Sequence, residues 1–520
     1  MADATQPEPS AGALPPGVES RPGLLRVLGP GMAMAMVVGN VIGSGIFLKP
    51  GIIAAKGGEF GLILTAWFVG GGLCILGGLC FAELACMMPR AGGMYVYLRE
   101  TYGRPVAFLF GWADFLFRSP ASIGALAVAF VGALGTACGV TFGLTTGMIL
   151  SLLLIAGMAW VNVIGVIWGG RVQAGTTIIK AGFLGVIALL PFLVMLGGFH
   201  EFDVANYSTT IDLLGQRETL ADAAFGLTGG PAVAAEPGFA SLAFPARFAA
   251  VMLAVMWAYN GWHGITPVAE EICEPRRNIP LALFGGIGIL IVLYIGANLA
   301  YHGVLTIEEM SQSGENTAQQ MVGKLFSSGS RQLAAAGVAA ISAVIMCSTF
   351  GAINSNLLNA PRITFAMGRD DVFFRQLGQV HVNYRTPAVA IVVQAMMSAG
   401  LVVASGVLVA AVDGFQQTSI FEMLTNFVIF SASIFYMLSV LAVILLRRRH
   451  PEWERPYRTW GYPVVPVAYL AFYGWFLWQV FWGQPFEAVS GLGLIALGLP
   501  VYFAWRKWAA RHPQNLTDGA

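Results

Sequence analysis

Long apolar stretches, separated by short polar interruptions, follow one another from residue 28 to residue 506. A helix needs about 20 such residues to cross a bilayer, and lipid offers no partner to unpaired backbone amides. Suitable stretches lie at 28–54, 60–86, 105–134, 143–164, 175–198, 245–269, 280–303, 332–358, 386–409, 418–446, 464–484 and 487–506. The pattern predicts an all-α polytopic membrane protein with about 12 transmembrane helices. The most polar interruption, 199–246, carries Glu201, Asp203, Asp212, Glu218, Asp222 and Glu236, and 199–244 reads as an extracellular loop.

Two spans are interrupted internally. The first contains Gly39-Asn40-Val41-Ile42-Gly43-Ser44-Gly45, and the sixth contains Tyr259-Asn260-Gly261-Trp262-His263-Gly264. Glycine weakens a helix interior by about 1 kcal/mol relative to alanine, and Asn and Ser compete for backbone hydrogen bonds. Both segments are therefore expected to unwind. The two spans open two five-helix halves, 28–198 and 245–446. Five is odd, so the second half starts from the opposite membrane face. The expected architecture is a 5+5 inverted repeat with broken first and sixth helices, plus two C-terminal helices at 464–506. Paired breaks at matching positions of inverted repeats point to a transport site at the membrane midplane.

Basic residues set the orientation. With the N-terminus inside, inner segments hold Arg21, Arg26, Arg90, Arg99, Arg104, Arg171, Arg276, Arg277, Arg362, Arg369, Arg375, Arg385, the basic loop 447–463, and Arg506, Lys507 and Arg511. The outer segments hold only Lys49, Lys56, Arg217, Arg247, Lys324 and Arg331. Both termini are expected in the cytoplasm, as tails over 1–27 and 507–520. The first tail is rich in Pro, Ala, Ser and Gly, lacks the features of a signal peptide and reads as disordered.

Composition narrows the function. Of 520 residues, 57% are hydrophobic and 11% charged, against about 25% charged in soluble domains. A net charge of +1 gives nucleic acid no basic face. Cys74, Cys80 and Cys86 recur six apart on an apolar helix, which is not a metal-ligand spacing. No cofactor is implied. An enzyme would need facing nucleophiles, acids or metal ligands within the spans, and a channel would need a pore loop or charge ring; neither pattern is present.

Five segments carry a resemblance. They are GNVIGSGIFLKP (Gly39–Pro50), FAELACMMPRAGGMYVYL (Phe81–Leu98), WAYNGWHGITPVAEEICEPRRNIP (Trp257–Pro280), the stretch Asn354–Pro387 ending in His381, Thr386 and Pro387, and RRHPEWERPYRTWGYP (Arg448–Pro463). Together, in this order, they resemble the APC-superfamily amino-acid transporters, specifically the L-type amino-acid transporter (LAT) branch and its bacterial relatives. The resemblance implies sodium-independent transport of neutral L-amino acids across the plasma (inner) membrane, by alternating access and as an exchanger. A proton-coupled symporter using Lys180 is the alternative within the same class.

An amino acid is a zwitterion, so its carrier needs an anion site and a cation site. Backbone N–H groups at Gly43, Ser44 and Gly45, starting an outer half-helix, suit the carboxylate. Carbonyls near Val41, Trp257 and Ala258 suit the ammonium. The candidate substrate site is Val41, Ile42, Gly43, Ser44, Gly45, Trp257, Ala258 and Asn260, and the resemblance places Trp257 as an aromatic gate. Gly43 and Gly45 are expected to exclude any side chain. The family usually has Gly or Asp at Asn260 and commonly Asn at His263, so these two positions set the side-chain pocket apart. Lys180 lies at membrane depth, where an ammonium is expensive. In sodium-independent members the matching lysine stands where relatives hold sodium, bridging the first and fifth helices; the competing reading is snorkelling to the inner face. Asp114 and Arg118, four apart, read as a structural ion pair. Glu83, Glu270 and Glu271 lie at inner helix ends beside Arg90, Arg276 and Arg277, where they serve an inner gate or a solvated helix end. Animal relatives join a glycoprotein subunit through a cysteine in the third external loop, but the apolar surroundings of Cys138, LGTACGVTFG, argue against that disulfide.

Overall fold

A computed structural model of the chain describes residue 26 and residues 28–511, except 165, 197–201, 210–243, 328–330, 382–383, 385 and 412–418. Nearly all of the expected tail 1–27, most of the loop 199–244 and the end of the tail 507–520 lie outside the described residues.

Eleven helices among these residues are long and apolar enough to cross a membrane. They run from Pro30–Gly57 and Phe60–Met87 to Val464–Gly483 and Ala488–Trp508, and they match the expected spans closely. The sixth span is the exception because it is divided. Phe244–Tyr259 is followed by a turn at Gly261 and a 3₁₀ helix, Trp262–Glu271. The last span also has a step, between Pro485–Ala496 and Gly498–Arg511. The eighth outruns its expected end at 358 and continues to Arg369. Apolar side chains such as Leu153, Ile178, Val292 and Trp478 stay exposed, as lipid-facing positions must.

Short helices add what span-finding misses. Met94–Tyr102 follows the second span, and Ile307–Ser313 and Thr317–Leu325 lie between the seventh and eighth. Thr306 and Glu309 form a capping box at the start of Ile307–Ser313, a signal present in the sequence.

The first half of the first span, Pro30–Val41, packs on Pro275–Val304 and on the fifth span. Its second half, Gly45–Gly57, packs on Phe244–Tyr259 and on Ile307–Ser313. Each half of the broken helix thus has its own neighbours.

The acids Glu83, Glu270 and Glu271, expected at the inner face, take partners other than those expected from chain proximity. Glu83, 1% exposed, accepts from Arg447 at 2.8 and 2.6 Å and from Thr459. Glu271 pairs with Arg362 at 2.8 Å. Glu270 accepts from the Ala91 amide at 2.9 Å, and Arg276 pairs with Glu454 in solvent. A helix end points its side chains across to other elements, so sequence neighbours were the wrong guide.

Candidate functional site

The two interrupted spans meet at their breaks. The first loses its helical ladder over residues 42–44 and resumes at Gly45. The sixth turns at Gly261 with φ 106°, a left-handed conformation that glycine takes without strain. Asn40 Nδ2 donates to the Gly261 carbonyl at 2.6 Å, so a side chain from one break satisfies the backbone of the other.

Gly45 permits a close approach of the two broken spans. A Cβ there would lie 2.5 Å from Ala258 Cα, so the two helices touch backbone to backbone. Gly43 differs: a Cβ would sit 3.4 Å from Leu126 and 3.5 Å from Ala352, an ordinary packing distance. Exclusion of a side chain therefore has a steric basis at Gly45 and none at Gly43. Among the described residues, the N–H groups of Gly43, Ser44 and Gly45 have no hydrogen-bond acceptor.

The carbonyls freed by the breaks are engaged. Tyr294 reaches both Val41 O (3.1 Å) and Ala258 O (3.0 Å) through its hydroxyl. The Ser348 hydroxyl spans Ile42 O and Gly43 O at 3.1 and 3.0 Å. Trp257 O accepts from the Asn260 amide at 3.1 Å.

A cavity opens at this junction, lined by Val41, Gly43, Ser44, Gly45, Trp257 and Asn260. Of the expected site residues, Ile42 and Ala258 are not on its wall. Both are buried, their carbonyls turned to Ser348 and Tyr294. His263, Gly264, Arg118, Ser122, Asn359 and Val428 contribute further wall. Arg118 sits on a single π-helical turn, Asp114–Arg118, and pairs with Asp114, which also accepts from Ser119 at 3.0 Å. The pair is buried as the spacing suggested, and its arginine also faces the cavity. Trp257 meets Phe421 edge-on, with centroids 6.0 Å apart.

Lys180 is 0% exposed, and its ammonium donates to the Gly39 carbonyl. It therefore ties the fifth span to the first just before the break. Cys138 ends the third helix and is exposed.

A family model described as amino acid permease matches residues 28–495. The chain belongs to the amino acid permease family. The permease is 30% identical to the serine/threonine exchanger SteT of Bacillus subtilis, over 93% of this chain and 98% of that protein. It is 28% identical to the human Asc-type amino acid transporter 1, over 95% and 85% of the two chains. Identity to the mouse large neutral amino acids transporter small subunit 2 is 29%, over 97% and 85%. The protein is thus an all-helical amino-acid transporter of the APC fold and not an enzyme.

Sequence reasoning missed four residues that organise the permease's site: Asn40, Tyr294, Ser348 and Tyr436, whose hydroxyl lies 2.8 Å from Asn260 Oδ1 and 3.1 Å from His263 Nδ1. Asn40 lay inside the quoted break and signalled itself as the one amide there. The others sit on helices outside the two breaks, among other hydroxyl-bearing or apolar residues, and nothing local distinguishes them.

Proposed function

We propose that the permease exchanges neutral L-amino acids across the plasma (inner) membrane, without sodium, by alternating access, with both termini in the cytoplasm. The observation that carries this reading is the junction of the two broken spans, with Lys180 bonded to its rim. The unpaired N–H groups of Gly43, Ser44 and Gly45 offer a carboxylate the positive end of a helix. Val41 and Trp257 line the cavity, and their carbonyls, each accepting one hydrogen bond, keep a second lone pair for the ammonium. Lys180 stands between the first and fifth spans, where a coupling cation would otherwise need ligands. The exchanger among the relatives supports an exchange mode, and the neutral-amino-acid transporter supports the substrate class.

No acid lines the cavity among the described residues, and Asp114, which pairs with the lining Arg118, is already committed to it and to Ser119. A cationic substrate side chain would find no free partner, and an unpaired buried charge costs several kcal/mol. Although the mouse relative is named a small subunit, we assign no partner disulfide to Cys138, which ends its helix among small apolar neighbours.

Competition for uptake into proteoliposomes tests the substrate class. Neutral L-amino acids should inhibit, while arginine, lysine and glutamate at the same concentration leave uptake near its control value. Strong inhibition by arginine alone would overturn the assignment.

A further inference from the structure

We propose that Tyr436 is a positioning residue that makes Asn260 and His263 a reader of a substrate hydroxyl, so that serine and threonine are preferred to alanine and valine. The inference rests on the neutral-amino-acid reading above and narrows it.

The argument starts from one proton. The Tyr436 hydroxyl lies 2.8 Å from Asn260 Oδ1 and 3.1 Å from His263 Nδ1. An amide oxygen only accepts, so the phenol donates to Asn260. The contact with His263 then needs a hydrogen from the ring, which places it on Nδ1 and leaves Nε2 with its lone pair. Rings fix the imidazole in place: Tyr436 at 4.9 Å, Trp262 at 5.6 Å and Phe81 at 6.2 Å between centroids.

Two groups remain for a ligand. Asn260 Nδ2 carries donors, and His263 Nε2 is an acceptor. Among the described residues neither atom has a hydrogen-bond partner, neither is sealed from the cavity, and both residues line it. Gly261 and Gly264 also line the cavity, and a Cβ on either would run into the Asn40 side chain, at 2.7 and 2.3 Å.

A hydroxyl fits this pair, because it donates once and accepts twice. It can give its hydrogen to Nε2 while receiving one from Nδ2. A methyl group in its place leaves both protein groups unpaired, and sites built to bond a hydroxyl reject the analogue lacking it. A carboxylate would face the Nε2 lone pair, and an ammonium would share the cavity with the Arg118 guanidinium. The names of the relatives do not choose among serine, threonine and large neutral substrates; the three side chains do.

The test uses wild-type and Tyr436→Phe permease in proteoliposomes, reading inhibition constants for serine, alanine, threonine and valine. In wild type, serine should exceed alanine and threonine should exceed valine by at least about tenfold, the worth of one net hydrogen bond. Phenylalanine keeps the ring and releases both partners, so both ratios should fall to about threefold or less. If Tyr436→Phe fails gel filtration, Asn260→Ala reads the same ratios. Equal inhibition by serine and alanine in wild type, or unchanged ratios in the variant, overturns the hydroxyl reader and leaves the neutral reading standing. No inhibition by any of the four overturns both.

Discussion

Lys180 holds its amine, with no exposed surface, against the Gly39 carbonyl, on a helix that stops two residues later. Burying a charge is expensive unless it is compensated, so the position is one where function and structure are hard to separate. Lys180→Ala should abolish uptake while the protein still elutes as a single folded species in gel filtration. Normal transport by that variant would show that the amine only fills space. The two glycines beside the break separate sterics from chemistry. Gly45→Ala should lose substrate binding, because its Cβ would collide with Ala258 backbone, whereas Gly43→Ala should bind within about threefold of wild type, having room for a methyl. Equal losses in the two variants, measured by isothermal titration in detergent, would contradict the packing argument. Gly45 was readable from sequence as a break residue. The contrast with Gly43 was not, because it depends on which helix crosses above each position.

The broken helices depend on clamps at both ends of the bundle. At the end expected to face outward, Lys49 donates to Thr425 at 2.9 Å and Lys56 to Glu422 at 2.8 Å, tying the second half of the first span to the tenth. Ser419 adds a bond to Glu315 at 2.5 Å, and burial raises the Glu315 carboxyl above the usual carboxylate range. At the opposite end, Glu83 gathers Arg447, near the end of the tenth-span helix, and Thr459 beyond it. Removing one member of such a cluster strands the others, which destabilises by about 3 kcal/mol when the site is buried. Glu83→Gln should therefore lower the thermal unfolding midpoint markedly, and Glu454→Gln, whose partner Arg276 lies in solvent, should leave it unchanged. Equal midpoints for the two variants would refute the clamp. Sequence reading placed Glu83 at a helix end, but its partner Arg447 lies 364 residues away, as Thr425 lies 376 residues from Lys49. Periodicity carries no information about such pairs.

At the scale of the molecule, hydropathy alone located nearly every span, because lipid forces each crossing helix to satisfy its own backbone. The sixth span shows what hydropathy omits: the reading anticipated its break, while the left-handed turn at Gly261 and the 3₁₀ segment beyond it required coordinates. Orientation follows from the arginine bias and has a direct check in single-cysteine variants. Cys138 is exposed at the end of the third span, and Cys273 is partly exposed at the opposite face. An impermeant maleimide should label Cys138 in intact cells and Cys273 only after permeabilisation; the reverse order would invert the topology. The central claim is sodium-independent exchange, and counterflow measures it most directly. Proteoliposomes preloaded with an unlabelled neutral L-amino acid and diluted into labelled substrate should accumulate label rapidly, at equal rates in sodium and in choline, while empty vesicles take up little. Uptake that falls more than about tenfold in choline, or that proceeds equally into empty vesicles, would contradict the account.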